Sequence, residues 1–155
     1  MGNYQDIVEI GVFDNEIILF EGQFPIPEGI SYNSYVIIDK KIAVMDSVDV
    51  RFADQWLSNL ESALQGKAPD YLVIQHMEPD HSGSIQQFIQ TYPQTKLVGN
   101  TKTFTMLKNY FGSDYSENQL MVKNGDTLPL GSRTLTFVFA PMVHWPEVMM
   151  TYDSA

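Results

Sequence analysis

Five consecutive residues, Tyr71-Leu72-Val73-Ile74-Gln75, constrain the fold more than any other stretch. A short, nearly continuous apolar run suits a strand buried on both faces, and such strands lie inside sheets that other layers cover. On either side of it the hydrophobic period changes to that of a helix. Ala53, Trp56, Leu57, Leu60 and Leu64 share one helical face, which Gly66 can end. Ile85, Phe88, Ile89 and Tyr92 mark a second helix, which Ser82 or Ser84 can cap and Pro93 closes. "KLVG" reads as the next strand, and "TKTFTMLKNYFG" as a helix capped by Thr101 or Thr103 and ended by Gly112.

The first fifty residues read as β structure. "DIVEIGVFD" and "EIILFEG" flank Asp14-Asn15, and "SYNSYVIID" and "KIAVMDS" flank Asp39-Lys40-Lys41, so two hairpins are expected. "NQLMVKNGDTLPLGSRTLTFVFAP" reads as strands joined by turns at Asn124-Gly125 and Gly131-Ser132. Hairpins followed by alternating strands and helices predict a layered α/β fold on a mixed sheet.

The chain has 155 residues, 44% of them hydrophobic, enough for a single domain with a substantial core. Its formal net charge of −10 is spread along the chain and repels nucleic acid and anionic lipid, so neither is an expected partner. There is no Cys, which excludes disulfides, thiolate metal sites and a thiol nucleophile. The opening "MGNYQDIVEI" lacks a basic start and a long apolar core, and Asp6 stands where a myristoylation signal at Met1-Gly2 wants Ser or Thr. No apolar run approaches the roughly 20 residues that span a bilayer. The expectation is a soluble cytoplasmic protein.

Two of the three histidines fall in one window, "HMEPDH", directly after the buried strand. His76 and Glu78, two apart on extended chain, project to one side. Asp80 and His81 follow on a turn after Pro79, where α/β proteins usually build sites. Two imidazoles and two carboxylates crowded together repel or resist ionisation unless a cation lies among them. Mixed N and O donors favour iron, manganese or zinc. The third histidine, His144, lies just past the apolar strand in "LTFVFAPMVHWPE" and can reach the same place from a neighbouring strand end.

At these residues the sequence resembles the flavodiiron proteins. "HMEPDHSGS" looks like their H-x-E-x-D-H signature, whereas zinc hydrolases of the same metallo-β-lactamase-like superfamily carry H-x-H-x-D-H. "SYNSYVIID", "MDSVD" and "APMVHWPE" followed by "TY" resemble further family segments in the family's order. The resemblance implies a metallo-β-lactamase-like layered α/β sandwich, of which residues 1–155 would be the N-terminal half. It also implies reduction of dioxygen to water, or of nitric oxide to nitrous oxide, at two irons fed by a reduced flavin. His76, Glu78 and His144 would bind one iron, and Asp80 and His81 the other. Trp145, with Pro146 and Glu147 after it, would wall the pocket. Some members carry a further histidine before "YNSY"; "FEGQFPIPEG" has none.

The family's aspartate bridging both irons, its last histidine and its flavodoxin-like FMN domain have no counterpart here. Asp153 comes too early to be the bridge. The implied state is therefore part of a domain, keeping one metal or none, with one sheet face and a strand edge uncovered and a tendency to pair with itself or with a missing half. Two other readings stand beside the oxidoreductase: a zinc-dependent hydrolase, which Glu78 disfavours, and a metal-binding fragment without catalysis.

Overall fold

The computed structural model of the chain describes residues 6–113 and 115–154. Met1-Gly2 lies outside them. Thirteen strands and four helices follow in order: β1 (Ile7–Glu9), β2 (Val12–Asp14), β3 (Leu19–Phe20), β4 (Phe24–Pro25), β5 (Ile30–Tyr32), β6 (Tyr35–Ile38), β7 (Ile42–Met45), α1 (Ala53–Leu64), β8 (Tyr71–Val73), α2 (Pro79–Ser82), α3 (Ile85–Thr91), β9 (Lys96–Gly99), α4 (Thr101–Phe111), β10 (Gln119–Met121), β11 (Thr127–Pro129), β12 (Thr134–Phe139) and β13 (Met149–Ser154).

Six strands form a mixed sheet in the order β1-β6-β7-β8-β9-β10, parallel from β7 to β10 and antiparallel at the other end. Side chains alternate across it. Val44, Leu72 and Leu97 pack with Trp56, Leu60, Phe88 and Leu107 of the helices. Ala43, Met45, Val73 and Val98 point the other way, against Leu135, Phe137 and Met149 of a second, three-stranded sheet β11-β12-β13. The result is helices, sheet and sheet in three layers. Full burial of Trp56 and Phe88 contributes about 1.5–3 kcal/mol each. On the outer face of the small sheet Val138, Met150 and Tyr152 are exposed, and β13 is an edge strand. Among the described residues no helix is long and apolar enough to cross a membrane.

The hairpin at Asp39-Lys40-Lys41 forms between β6 and β7, and the turn at Gly131-Ser132 joins antiparallel β11 and β12. Three other expectations are corrected. The hairpin across Asp14-Asn15 does not form: β1 pairs with β6, β2 with β5, and β3 only with β4. Gly11 explains the switch between β1 and β2, because a Cβ there would come 2.4 Å from the Tyr32 carbonyl oxygen. Asp14 still turns the chain, accepting from the amides of Glu16 and Ile17, but its buried carboxylate also accepts from the Tyr32 hydroxyl and so ties the turn to β5.

At α4 the cap is Asn100, whose side chain accepts from the amides of Lys102 and Thr103, rather than Thr101 or Thr103. Ser84 stands at the N-cap position of α3, but neither its side chain nor that of Ser82 makes a capping bond there. The Ser82 hydroxyl donates to the Met77 and Glu78 carbonyls and that of Ser84 to the Asp49 carbonyl, because α3 follows α2 almost without a break. The turn at Asn124-Gly125 forms as expected and joins β10 to β11, which lie in different sheets.

Candidate metal centre

Parallel pairing aligns the C-terminal ends of β7, β8 and β9, with Met45 opposite Val73 and Val73 opposite Val98. The loops that leave them converge there, as loops at the carboxyl ends of parallel strands do. Beyond β8, the Gln75 amide donates to the Asp46 carboxylate and the Gln75 carbonyl accepts from the Met149 amide. Residue 75 is thereby held between the loop after β7 and the start of β13. His76 is delivered at this junction.

His76 and Glu78 are both 9% exposed, and His76 Nε2 lies 3.0 Å from Glu78 Oε2. From the β12–β13 loop, His144 brings its Nε2 to 3.3 Å from the same oxygen. One donor atom from each of the three lies within 4.8 Å of the others, a spacing that could hold a metal ion. The rings of His76 and His144 meet edge to face, with centroids 4.7 Å apart. Trp145 stands edge-on to His76 at 5.1 Å and closes that side.

Asp80 and His81, both on α2, form a separate pair beside this trio. His81 Nε2 is 3.5 Å from Asp80 Oδ2, and the His81 ring centroid is 5.5 Å from that of His76. All five residues named from the sequence thus border one region, divided three and two. Two residues beyond those five also reach it. Glu147 Oε1 is 2.8 Å from His76 Nδ1, and Asp46 Oδ2 is 4.0 Å from His81 Nδ1. Asp46 stands in "MDSVD", directly after β7, and Glu147 in "HWPE", three residues past His144; an acid in a segment that follows an apolar strand is the signal that marks both. Burial raises the Asp46 carboxyl above its ordinary range, against the opposing pull of His81 and the amides of Gln75 and His76.

The donor set fits a cation. Among the described residues, Asp80 Oδ1, His81 Nδ1 and Glu147 Oε2 are buried without a hydrogen-bond partner. Unpaired buried polar atoms are costly, and Glu78 Oε2 faces two imidazole nitrogens whose lone pairs would repel it without a proton or cation between them. Nitrogen and carboxylate oxygen with no thiolate suit iron, manganese or zinc.

Residues 30–155 match the protein family described as ODP family beta lactamase. The chain belongs to this family. The ODP-family chain is 35% identical over 147 residues to the flavo-diiron protein FprA2 of Clostridium acetobutylicum, covering 94% of itself and 36% of that relative. It is 37% identical over 146 residues to the anaerobic nitric oxide reductase flavorubredoxin of Aliivibrio fischeri, covering 92% of itself and 29% of the relative. The solved structure of rubredoxin oxygen:oxidoreductase from the anaerobe Desulfovibrio gigas superposes with a TM-score of 0.88 at 32% identity, over 95% of this chain and 36% of that one. The fold is that of the beta-lactamase-like domain of flavodiiron proteins. The chain spans about a third of the length of the relatives it matches.

Proposed function

We propose that this ODP-family domain is the metal-binding module of an oxidoreductase that reduces dioxygen or nitric oxide. In this reading His76, Glu78 and His144 hold one iron, and Asp80 and His81 contribute to a second. The carrying observation is the shared Glu78 oxygen, 3.0 Å from His76 and 3.3 Å from His144. A carboxylate at the centre of the trio is a hard, anionic donor suited to ferric iron, where a hydrolase of the superfamily would place imidazole. Names of similar proteins support the two substrates: a nitric oxide reductase on one side and an oxygen:oxidoreductase on the other.

Iron held there supplies a redox-active centre at which a diatomic gas gains electrons. The chain's own contribution is to collect the donors, to shield the buried side with Trp145, and to leave His144 open to solvent on the other. Its side chain is 63% exposed. Electrons would come from a reduced flavin, an FMN carried outside residues 1–155, in a cytoplasmic setting. Among the described residues the second pair offers two protein donors, fewer than a stable site usually has. The chain alone is therefore proposed to keep one metal and to lack turnover.

Elemental analysis of protein purified without added metal tests this reading. Iron supports it, zinc favours the hydrolase alternative, and a metal-free protein that takes up neither iron nor cobalt on addition overturns it.

A further inference from the structure

From the structure we infer that Glu147 is a positioning residue, one that fixes which nitrogen of His76 faces the proposed metal and strengthens it as a donor; the inference rests on the metal-centre reading above. Glu147 is fully buried, yet it lies in a loop, eight residues past the end of β12. Its Oε1 sits 2.8 Å from His76 Nδ1 and 2.9 Å from the Met77 amide nitrogen. The Met77 amide can only donate, so Oε1 is an acceptor, and the imidazole completes the pair by donating from Nδ1. The lone pair is then on Nε2, the nitrogen that faces Glu78. A carboxylate bonded to the far side of an imidazole orients the ring and raises the basicity of the ligating nitrogen.

Glu147 is held in place from a third element. Its backbone carbonyl accepts from Asn100 Nδ2 at 2.7 Å, while Asn100 Oδ1 accepts from the Lys102 and Thr103 amides in the first turn of α4. The residue after β9, the first turn of α4 and the β12–β13 loop therefore meet through Asn100 at the backbone of Glu147, whose side chain bonds His76. A role limited to packing would not require a carboxylate there. An apolar side chain of equal size would fill the space without leaving Oε2 buried and unpaired.

The test is a titration of the full chain, freed of metal by chelation, with Co2+ alone, followed by its visible absorption bands. Glu147→Gln keeps an acceptor for Nδ1 but removes the charge, and Glu147→Ala removes both. The expected result is binding about 10-fold weaker in Glu147→Gln and up to about 100-fold weaker in Glu147→Ala, with shifted bands and unchanged far-UV circular dichroism. Should Glu147→Ala fail to fold, Glu147→Gln decides alone. Wild-type affinity together with wild-type bands in folded Glu147→Gln would overturn the inference while leaving the metal centre intact. If the unmodified chain takes up no Co2+, or His76→Ala binds it as well as the unmodified chain, the metal-centre reading itself fails, and this inference with it.

Discussion

His144 Nε2 stands 3.3 Å from Glu78 Oε2, so a side chain from the β12–β13 loop completes a site begun just after β8. His144 is largely exposed and supports little of the core. Replacing it with Ala should leave the fold intact. It should also weaken Co2+ binding by more than the roughly 10- to 100-fold that losing an outer partner costs. His76→Ala, which removes the central imidazole, should abolish metal retention through gel filtration. Metal content measured beside circular dichroism checks both; a folded His76→Ala that keeps its metal would show the cluster to be structural.

Asp14 makes acid stability a second test. Burial pushes its carboxyl upward, but the amides of Glu16 and Ile17, the Tyr32 hydroxyl and the Arg51 guanidinium outweigh that and hold it below its ordinary value. A depressed folded value contributes stability that is complete above the unfolded value near pH 4 and is lost as pH falls through the folded one. Urea unfolding should show the chain weakening below about pH 4. Asp14→Asn should flatten that part of the profile and cost about 2–3 kcal/mol at neutral pH, because Arg51 and the Tyr32 hydroxyl lose the carboxylate oxygen that accepts from them, while the remaining oxygen still serves the amides of Glu16 and Ile17. An unchanged acid profile in the variant would remove Asp14 from the explanation.

Gly83 allows α2 to approach the loop after β7. A Cβ there would meet the Pro79 carbonyl oxygen at 2.7 Å and the Val50 amide nitrogen at 2.8 Å, and both are backbone atoms that cannot swing away. Gly83→Ala should cost about 1–3 kcal/mol. It should also shift α2, which carries Asp80 and His81, while leaving Co2+ binding at the His76 trio nearly as it was. Thermal unfolding and the Co2+ titration read the two effects separately.

The outer face of the small sheet bears on association. Val138 and Met150 are paired across β12 and β13, and Tyr152 lies two residues further along the same face. Exposed apolar residues beside an open strand edge favour pairing with another sheet. Light scattering should give a mass above that of one chain, and Met150→Lys with Tyr152→Lys should return it to one. A monomer before substitution would count against this face as an interface.

Much of the middle of the chain was legible in its sequence. The buried run at 71–75, the amphipathic faces of α1 and α4, and the β6–β7 hairpin each depend on residues only a few positions apart. Hydrophobic period and turn chemistry act over that range. His76 and Glu78 share one side for the same reason, two steps along extended backbone.

What lies beyond that range was decided by the tertiary structure. "EIILFEG" has the composition of a core strand, but Ile18 is exposed and Leu19–Phe20 pairs only with Phe24–Pro25, because Asp14 and Gly11 commit the preceding strands to β5 and β6. Asn100 took the cap expected of Thr101 because β9 ends one residue before it. The meeting of His144, Glu147 and Asp46 with the "HMEPDH" loop depends on which strands lie side by side. Sequence by itself determined the local elements and the donor types; strand order, chosen by burying both faces of the central sheet at once, determined which donors meet. Register between distant strands is set by that shared burial, and no local propensity encodes it.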